Sequence, residues 1–132
     1  DTVTDENLDS MVAFAKSFAA KTGAVVAITG AIDLVADGEK AYVIRNGRPE
    51  MSKITGTGCQ LSGLATAYAV ANPDNKTEAV AAAVSAMGLA GEIGFANLQP
   101  GEGNSTYRNR IIDAIYNMDA ETLNKGAKYE VR

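Results

Sequence analysis

Five consecutive residues, Thr55-Gly56-Thr57-Gly58-Cys59, combine the residue types that hold an anion with one that can accept a proton. A glycine-rich turn opening a helix leaves backbone N–H groups unpaired, and the positive helix end favours a negative ligand. Gly56 and Gly58 carry no Cβ atom to hold a phosphate away. Cys59 falls in the first turn of the helix, where the dipole favours a thiolate over a thiol. Plain structural explanations stand beside these. A Thr-Gly-Thr-Gly run can be only a tight turn, and a lone cysteine only a small buried hydrophobe.

Other polar residues carry weaker signals. The chain has no histidine, so the usual general base and His-based zinc sites are absent. Proton transfer then falls to Asp, Glu, Lys, Tyr or Cys59. Thr29, at a strand end, can simply satisfy backbone groups. Asp33 and Asp37 read as residues that shape hairpins. Arg108 and Arg110 read as a solvated helix face in preference to a phosphate clamp, and Gly88, Gly91 and Gly94 as packing positions.

The elements that must position these residues follow from spacing. Thr4 can cap a helix whose first turn holds Asp5 and Glu6. Leu8, Met11, Val12, Ala15, Phe18 and Ala19 give that helix one apolar face, and Gly23 stops it. Ala24 to Thr29 reads as a strand buried on both faces. Ile32 to Ala36, Asp37-Gly38, Ala41 to Ile44 and Asn46-Gly47 predict three successive antiparallel strands ending near Met51 to Lys53. Behind the glycine loop, Gln60 to Ala71 is helical and closed by Asn72-Pro73. A helix from about Thr77 to Asn97 is apolar nearly all round and should be buried. Pro100 to Gly103 is a loop. Thr106 to Tyr116 is a helix with Ile111, Ile112 and Ile115 on one face, followed by a short helix from Asp119 to Lys125 and a polar tail.

With 132 residues, the chain suffices for one domain. Apolar content of 46% and charged content of 21% are those of a soluble globular protein. The net charge of −4, without a basic cluster, argues against nucleic acid or an anionic membrane as partner. One cysteine can form no internal disulfide. With a polar, acidic start and no visible signal peptide, the expected location is the cytoplasm. The stretch from Ala79 to Ala96 holds Glu92 and is mostly alanine and glycine, which suits a buried helix better than a lipid-spanning one.

The order is helix, strand, antiparallel meander, glycine turn, then consecutive helices: an α/β chain whose sheet is small for its helices. A doubly wound sheet needs several parallel strands, and further strands are expected upstream of Asp1.

Val25-Val26-Ala27-Ile28-Thr29-Gly30, the meander with Asn46-Gly47, and Ile54 to Cys59 together closely resemble hydroxyethylthiazole kinases of the ribokinase-like superfamily. The Ala-rich helix, the loop at 101 to 103 and the helix from Thr106 are also similar. The resemblance covers the whole chain but only the C-terminal half of the family's length. Cysteine at position 59 is its most specific element, since many ribokinase-like kinases place Asp there. That departure argues against pyridoxal kinase and nicotinamide-nucleotide-hydrate dehydratase.

The resemblance implies a fold and a set of roles. Residues 1–132 would be one domain, the C-terminal part of a ribokinase-like layered fold. Thr29 matches an ATP-binding residue and Gly56 a backbone contact with the thiazole. Gly56, Thr57, Gly58 and Cys59 form the anion hole over the transferring phosphoryl, and Cys59 stands where the family has its base. The implied reaction is ATP- and Mg²⁺-dependent phosphorylation of the primary alcohol of 4-methyl-5-(2-hydroxyethyl)thiazole, in thiamine salvage, by a homo-oligomer, a trimer in the family. No metal ligand is assigned in this chain. The alternatives are a non-catalytic folded fragment that self-associates, and another ribokinase-like small-molecule kinase.

Overall fold

The computed structural model describes residues 2–132. Along the chain run α1 (Leu8–Thr22), β1 (Val26–Ile28), β2 (Asp33–Ala36), β3 (Ala41–Ile44), a 3-10 turn (Pro49–Lys53), α2 (Thr57–Ala71), α3 (Lys76–Ala96), α4 (Asn104–Tyr116), α5 (Ala120–Gly126) and β4 (Tyr129–Val131). The strands form one sheet in the order β1-β2-β3-β4, and every pair is antiparallel.

Strand parity divides the core. Successive side chains point to opposite faces, so Leu34 and Ala36 of β2 pair with Val43 and Ala41 of β3 and meet Leu8, Val12 and Ala15 of α1. Val35 and Ile44 face the other way, onto Val80, Ala81 and Val84 of α3, with Leu61 and Ala65 of α2 beside them. The sheet thus lies between α1 and the α2–α3 pair. Leu34, Ile44 and Ile111 are fully buried, and each contributes roughly 1.5–3 kcal/mol by leaving water.

Helix α3 is the hub. By length and mean hydropathy (1.6) it could cross a membrane, yet 67% of that window is buried inside the fold. Its glycines let neighbours come close, as their spacing suggested. A Cβ on Gly88 would stand 2.7 Å from the backbone carbon of Asn46, and one on Gly94 would stand 3.2 Å from the backbone nitrogen of Ile111 in α4. The buried hydroxyl of Tyr107 (α4) donates to the Gly91 carbonyl at 2.8 Å, and its ring meets Phe95 edge-on at 5.7 Å.

Several local expectations are corrected. Helix α1 starts after Asn7, not Thr4. The Asn7 carboxamide reaches back to the Thr4 N–H (2.7 Å) and the Thr2 carbonyl (3.1 Å), which docks the preceding arm and buries Val3 completely. Phe18 lies about a quarter-turn from the Leu8–Val12–Ala15–Ala19 stripe and is 48% exposed, stacked on Phe14. Ile112 of α4 is likewise exposed, whereas Ile111 is buried. The run from Ala24 to Thr29 yields only a three-residue edge strand. Val26 and Ile28 are half-buried and Ala27 is exposed, because β1 pairs with β2 alone.

Asn46-Gly47 does not close a hairpin. Pro49 has a fixed φ and no N–H to give a ladder, and the chain turns into the 3-10 segment. The place beside β3 is filled by the C-terminal tail, where Tyr42 pairs with Val131 and Ile44 with Tyr129. A tail that reads as merely polar is therefore a strand.

Candidate active site

Gly56 makes the turn into α2. Its φ of 94° lies in the left-handed region, open to glycine and strained for residues with a Cβ. The first helical hydrogen bond runs from the Gln60 N–H to the Gly56 carbonyl, at 3.0 Å. No side chain caps the helix, so the first-turn N–H groups of Thr57, Gly58 and Cys59 stay available to an anion. The helix begins three residues earlier than its apolar run indicated, which puts the whole Thr57-Gly58-Cys59 segment inside that first turn.

A cleft of about 550 Å³ opens in front of this helix end. Thr57 and Gly58 form one wall, Thr29, Gly30, Ala31 and Asp33 a second, and Asn46 to Pro49 a third. Leu61, Val84 and Met87 supply an apolar side. Of the residues singled out from sequence, the fold brings Thr29, Asp33, Thr57, Gly58 and Gly88 to one cavity. Gly56 and Cys59 do not line it. Cys59 is exposed and carries a free thiol on the same first turn as Thr57 and Gly58. Thr29 is exposed, one residue beyond the end of β1.

Asp33, read from sequence as a residue that shapes a hairpin, lines the cleft instead. It stands two residues before Val35, hence on the α3 face of β2, at the strand end that meets the cavity. Its Oδ1 accepts the Gly30 N–H at 2.8 Å. Burial raises its pKa to about 6, with the Gly30 hydrogen bond pulling partly the other way. An acid in period-two register with buried positions was the available signal. Asp37 keeps the role expected of it. It accepts the N–H groups of Glu39 (2.8 Å) and Lys40 (2.9 Å) and the Thr77 hydroxyl (2.8 Å), tying the β2–β3 turn to α3.

The third wall is fixed by a polar cluster behind it. Glu92 of α3 accepts the Gly47 N–H at 2.9 Å and the Asn46 side-chain amide at 3.1 Å. Lys128 Nζ donates to its other oxygen at 2.7 Å. Burial pushes the Glu92 pKa up, but Lys128, Gly47 and Asn46 outweigh it, and the net shift is downward. Asn46 also donates to the Gly126 carbonyl and accepts the Lys128 N–H. Arg48 also lines the cleft, but its guanidinium lies 4.0 Å from the Phe95 ring centre and is paired with Glu50.

Arg108 and Arg110 do not reach the cavity. Arg108 is exposed, while Arg110 donates to both oxygens of Glu102 at 3.0 Å. Among the described residues, no three of His, Cys, Asp and Glu come together to hold a metal. The residues present therefore form no all-protein metal cage, a kind of site Mg²⁺ seldom uses. The free donors at the glycine turn, with a cleft beside them, do fit an anion such as a phosphate group.

Residues 1–121 match the family model described as "Hydroxyethylthiazole kinase family". The chain belongs to this family. It is 55% identical over 130 residues to the hydroxyethylthiazole kinase of Clostridium acetobutylicum, a match covering 98% of this chain and 48% of that protein. It is 37% identical over 118 residues to the hydroxyethylthiazole kinase of Zea mays, covering 89% and 41%. The chain thus spans about half the length of the curated relatives it matches. The solved hydroxyethylthiazole kinase of Pyrococcus horikoshii OT3 superposes with a TM-score of 0.82 over 94% of this chain and 47% of that one. Sequence identity there is 22%, and the likeness establishes a common fold.

Proposed function

We propose that the chain carries the phosphate cradle of an enzyme that transfers the γ-phosphoryl group of ATP to the primary alcohol of 4-methyl-5-(2-hydroxyethyl)thiazole, in cytoplasmic thiamine salvage. The observation that carries this reading is the shared cleft. Thr29 meets the Thr57–Gly58 helix end across a cavity whose apolar side suits a planar base. The α2 end suits the phosphates.

Phosphoryl transfer depends on alignment and charge stabilisation more than on covalent chemistry. The N–H groups of Thr57, Gly58 and Cys59 face the charge that grows on the equatorial oxygens. One such donor is typically worth about 10²–10³ in rate. In-line displacement places the attacking and leaving oxygens on opposite sides of phosphorus. That matches the division around α2, with a nucleotide on the cleft side and Cys59 on the open side. Cys59 would there accept the alcohol proton, worth roughly 10²–10⁴, with Gly56 offering backbone contact to the thiazole. Mg²⁺ bound by the nucleotide phosphates would offset their charge.

We further propose that the chain is the C-terminal part of the kinase domain, active as a homo-oligomer such as a trimer. A second reading, a folded unit that associates without turnover, is favoured by the open edge of β1 and the exposed Phe14–Phe18 pair. A chimera separates the two. When this chain replaces the matching 130 residues of the Clostridium acetobutylicum relative, ADP release dependent on the thiazole alcohol is expected. The isolated chain should show none. A folded chimera without turnover would remove the kinase reading, and an isolated monomer with full turnover would remove the partial-domain one.

A further inference from the structure

Asp33 stands apart from every other carboxylate around the cleft. Glu92 and Glu50, just behind or beside the wall, are paired with cations. Asp33 has a single hydrogen bond among the described residues, from the Gly30 N–H at 2.8 Å. The elements that face it add no salt-bridge partner. From α2 come Thr57, Gly58 and Leu61, from α3 Val84, Met87 and Gly88, and from the third wall the one charged group is Arg48, whose guanidinium is engaged by Glu50 and Phe95. A half-buried acid without a cation is an unfavourable arrangement unless something else needs it.

What the acid holds is the turn Thr29–Gly30–Ala31, a stretch outside any helix or strand that forms one cleft wall. We infer that Asp33 is a positioning residue of the cleft, its carboxylate fixing the Gly30 N–H so that Thr29 is presented to the nucleotide. This rests on the nucleotide reading above. A charged acceptor binds an N–H more strongly than a neutral one, so the clamp tightens as Asp33 ionises. Its pKa, raised to about 6 by burial, gives the sign of both effects. Above about pH 6 the clamp is strong. Global stability moves the other way, falling as pH rises from the ordinary value of 3.8 to about 6, because the native state holds the proton more tightly than the unfolded chain.

The test uses the full 132-residue chain, ¹⁵N-labelled and titrated with ATP and then over pH 4.5–8 by amide NMR. The Gly30 amide should shift with a midpoint near pH 6, a readout that needs no variant. Asp33→Ala should bind ATP roughly tenfold more weakly, the loss of one charge-assisted hydrogen bond. Asp33→Asn, which keeps an acceptor, should lie between. At pH 8, Asp33→Asn should also melt at a higher temperature than the wild type while binding ATP less well. A residue that merely supports the fold would lower both. A normal ATP response that Asp33→Ala leaves unchanged, or a Gly30 amide that does not titrate, overturns this inference alone. Absence of any ATP response in the wild type overturns the nucleotide reading and this inference with it.

Discussion

The side-chain amide of Asn46 donates to the Glu92 carboxylate at 3.1 Å, and this contact shapes the cleft from behind. Asn46 is buried, at a point where the sequence offers Asn-Gly as a hairpin turn. With its amide claimed by α3, the turn becomes a strap that carries Arg48 and Pro49 across the mouth of the cavity.

Glu92→Ala should therefore destabilise the fold by roughly 1–3 kcal/mol, mostly by stranding the Gly47 N–H and the Asn46 amide. The exposed Lys128 should add little. Glu92→Gln should be milder. Because the Glu92 pKa is lowered from 4.5 in the fold, its contribution is present above that value and lost as pH falls through the native pKa. Urea titrations at pH 7 and pH 3.5 check this, since the gap between wild type and Glu92→Gln should shrink in acid. A gap that is equal at both values would remove the charge from the explanation.

Gly88→Ala tests the closeness of the same strap to α3. The new Cβ would sit 2.7 Å from Asn46 backbone and side-chain carbons, a contact that backbone must move to relieve. A loss of about 1–3 kcal/mol is expected, together with weaker ATP binding as the third wall shifts. Equal unfolding midpoints for the variant and wild type would show that the contact is soft.

The two glycines of the motif should behave oppositely. Gly56→Ala meets the positive φ of 94° and should cost about 1–2 kcal/mol. Gly58 has no positive φ, and nothing lies within 4 Å of a Cβ placed on it. Alanine there should leave stability unchanged or raise it by roughly 0.5–1 kcal/mol through helix propensity, while obstructing the space next to the free N–H groups. Melting curves and ATP titrations side by side distinguish them. If Gly58→Ala binds ATP as the wild type does, the phosphate does not lie over this turn.

Cys59 is best examined in the active chimera. Cys59→Ala should lower kcat by roughly 10²–10⁴ and change the KM for ATP far less, because a base acts in the transition state. Cys59→Asp should retain useful turnover, since a carboxylate can accept the same proton. A near-normal kcat in Cys59→Ala would return the thiol to an incidental surface position.

Much of this molecule is legible along the chain. The apolar stripe Leu8–Val12–Ala15–Ala19, the Asp37-Gly38 turn, the buried character of α3 and the glycine turn before α2 depend on neighbours within a few residues. Local spacing and backbone freedom therefore determine them. The family resemblance also rests on contiguous motifs. Tertiary structure alone decided the rest, for a common reason: the competing partner lies far away in sequence. Tyr129–Val131 becomes a strand because the edge of β3, some 85 residues earlier, is vacant after Pro49 diverts the chain. Asn46-Gly47 becomes a strap because Glu92 takes its donors. Asp33 becomes a cleft residue because Gly30 turns its N–H back to it and α3 covers that face of the sheet. A hydrogen-bonding group takes whichever partner the packed fold leaves within about 3 Å, and sequence distance places no limit on that choice.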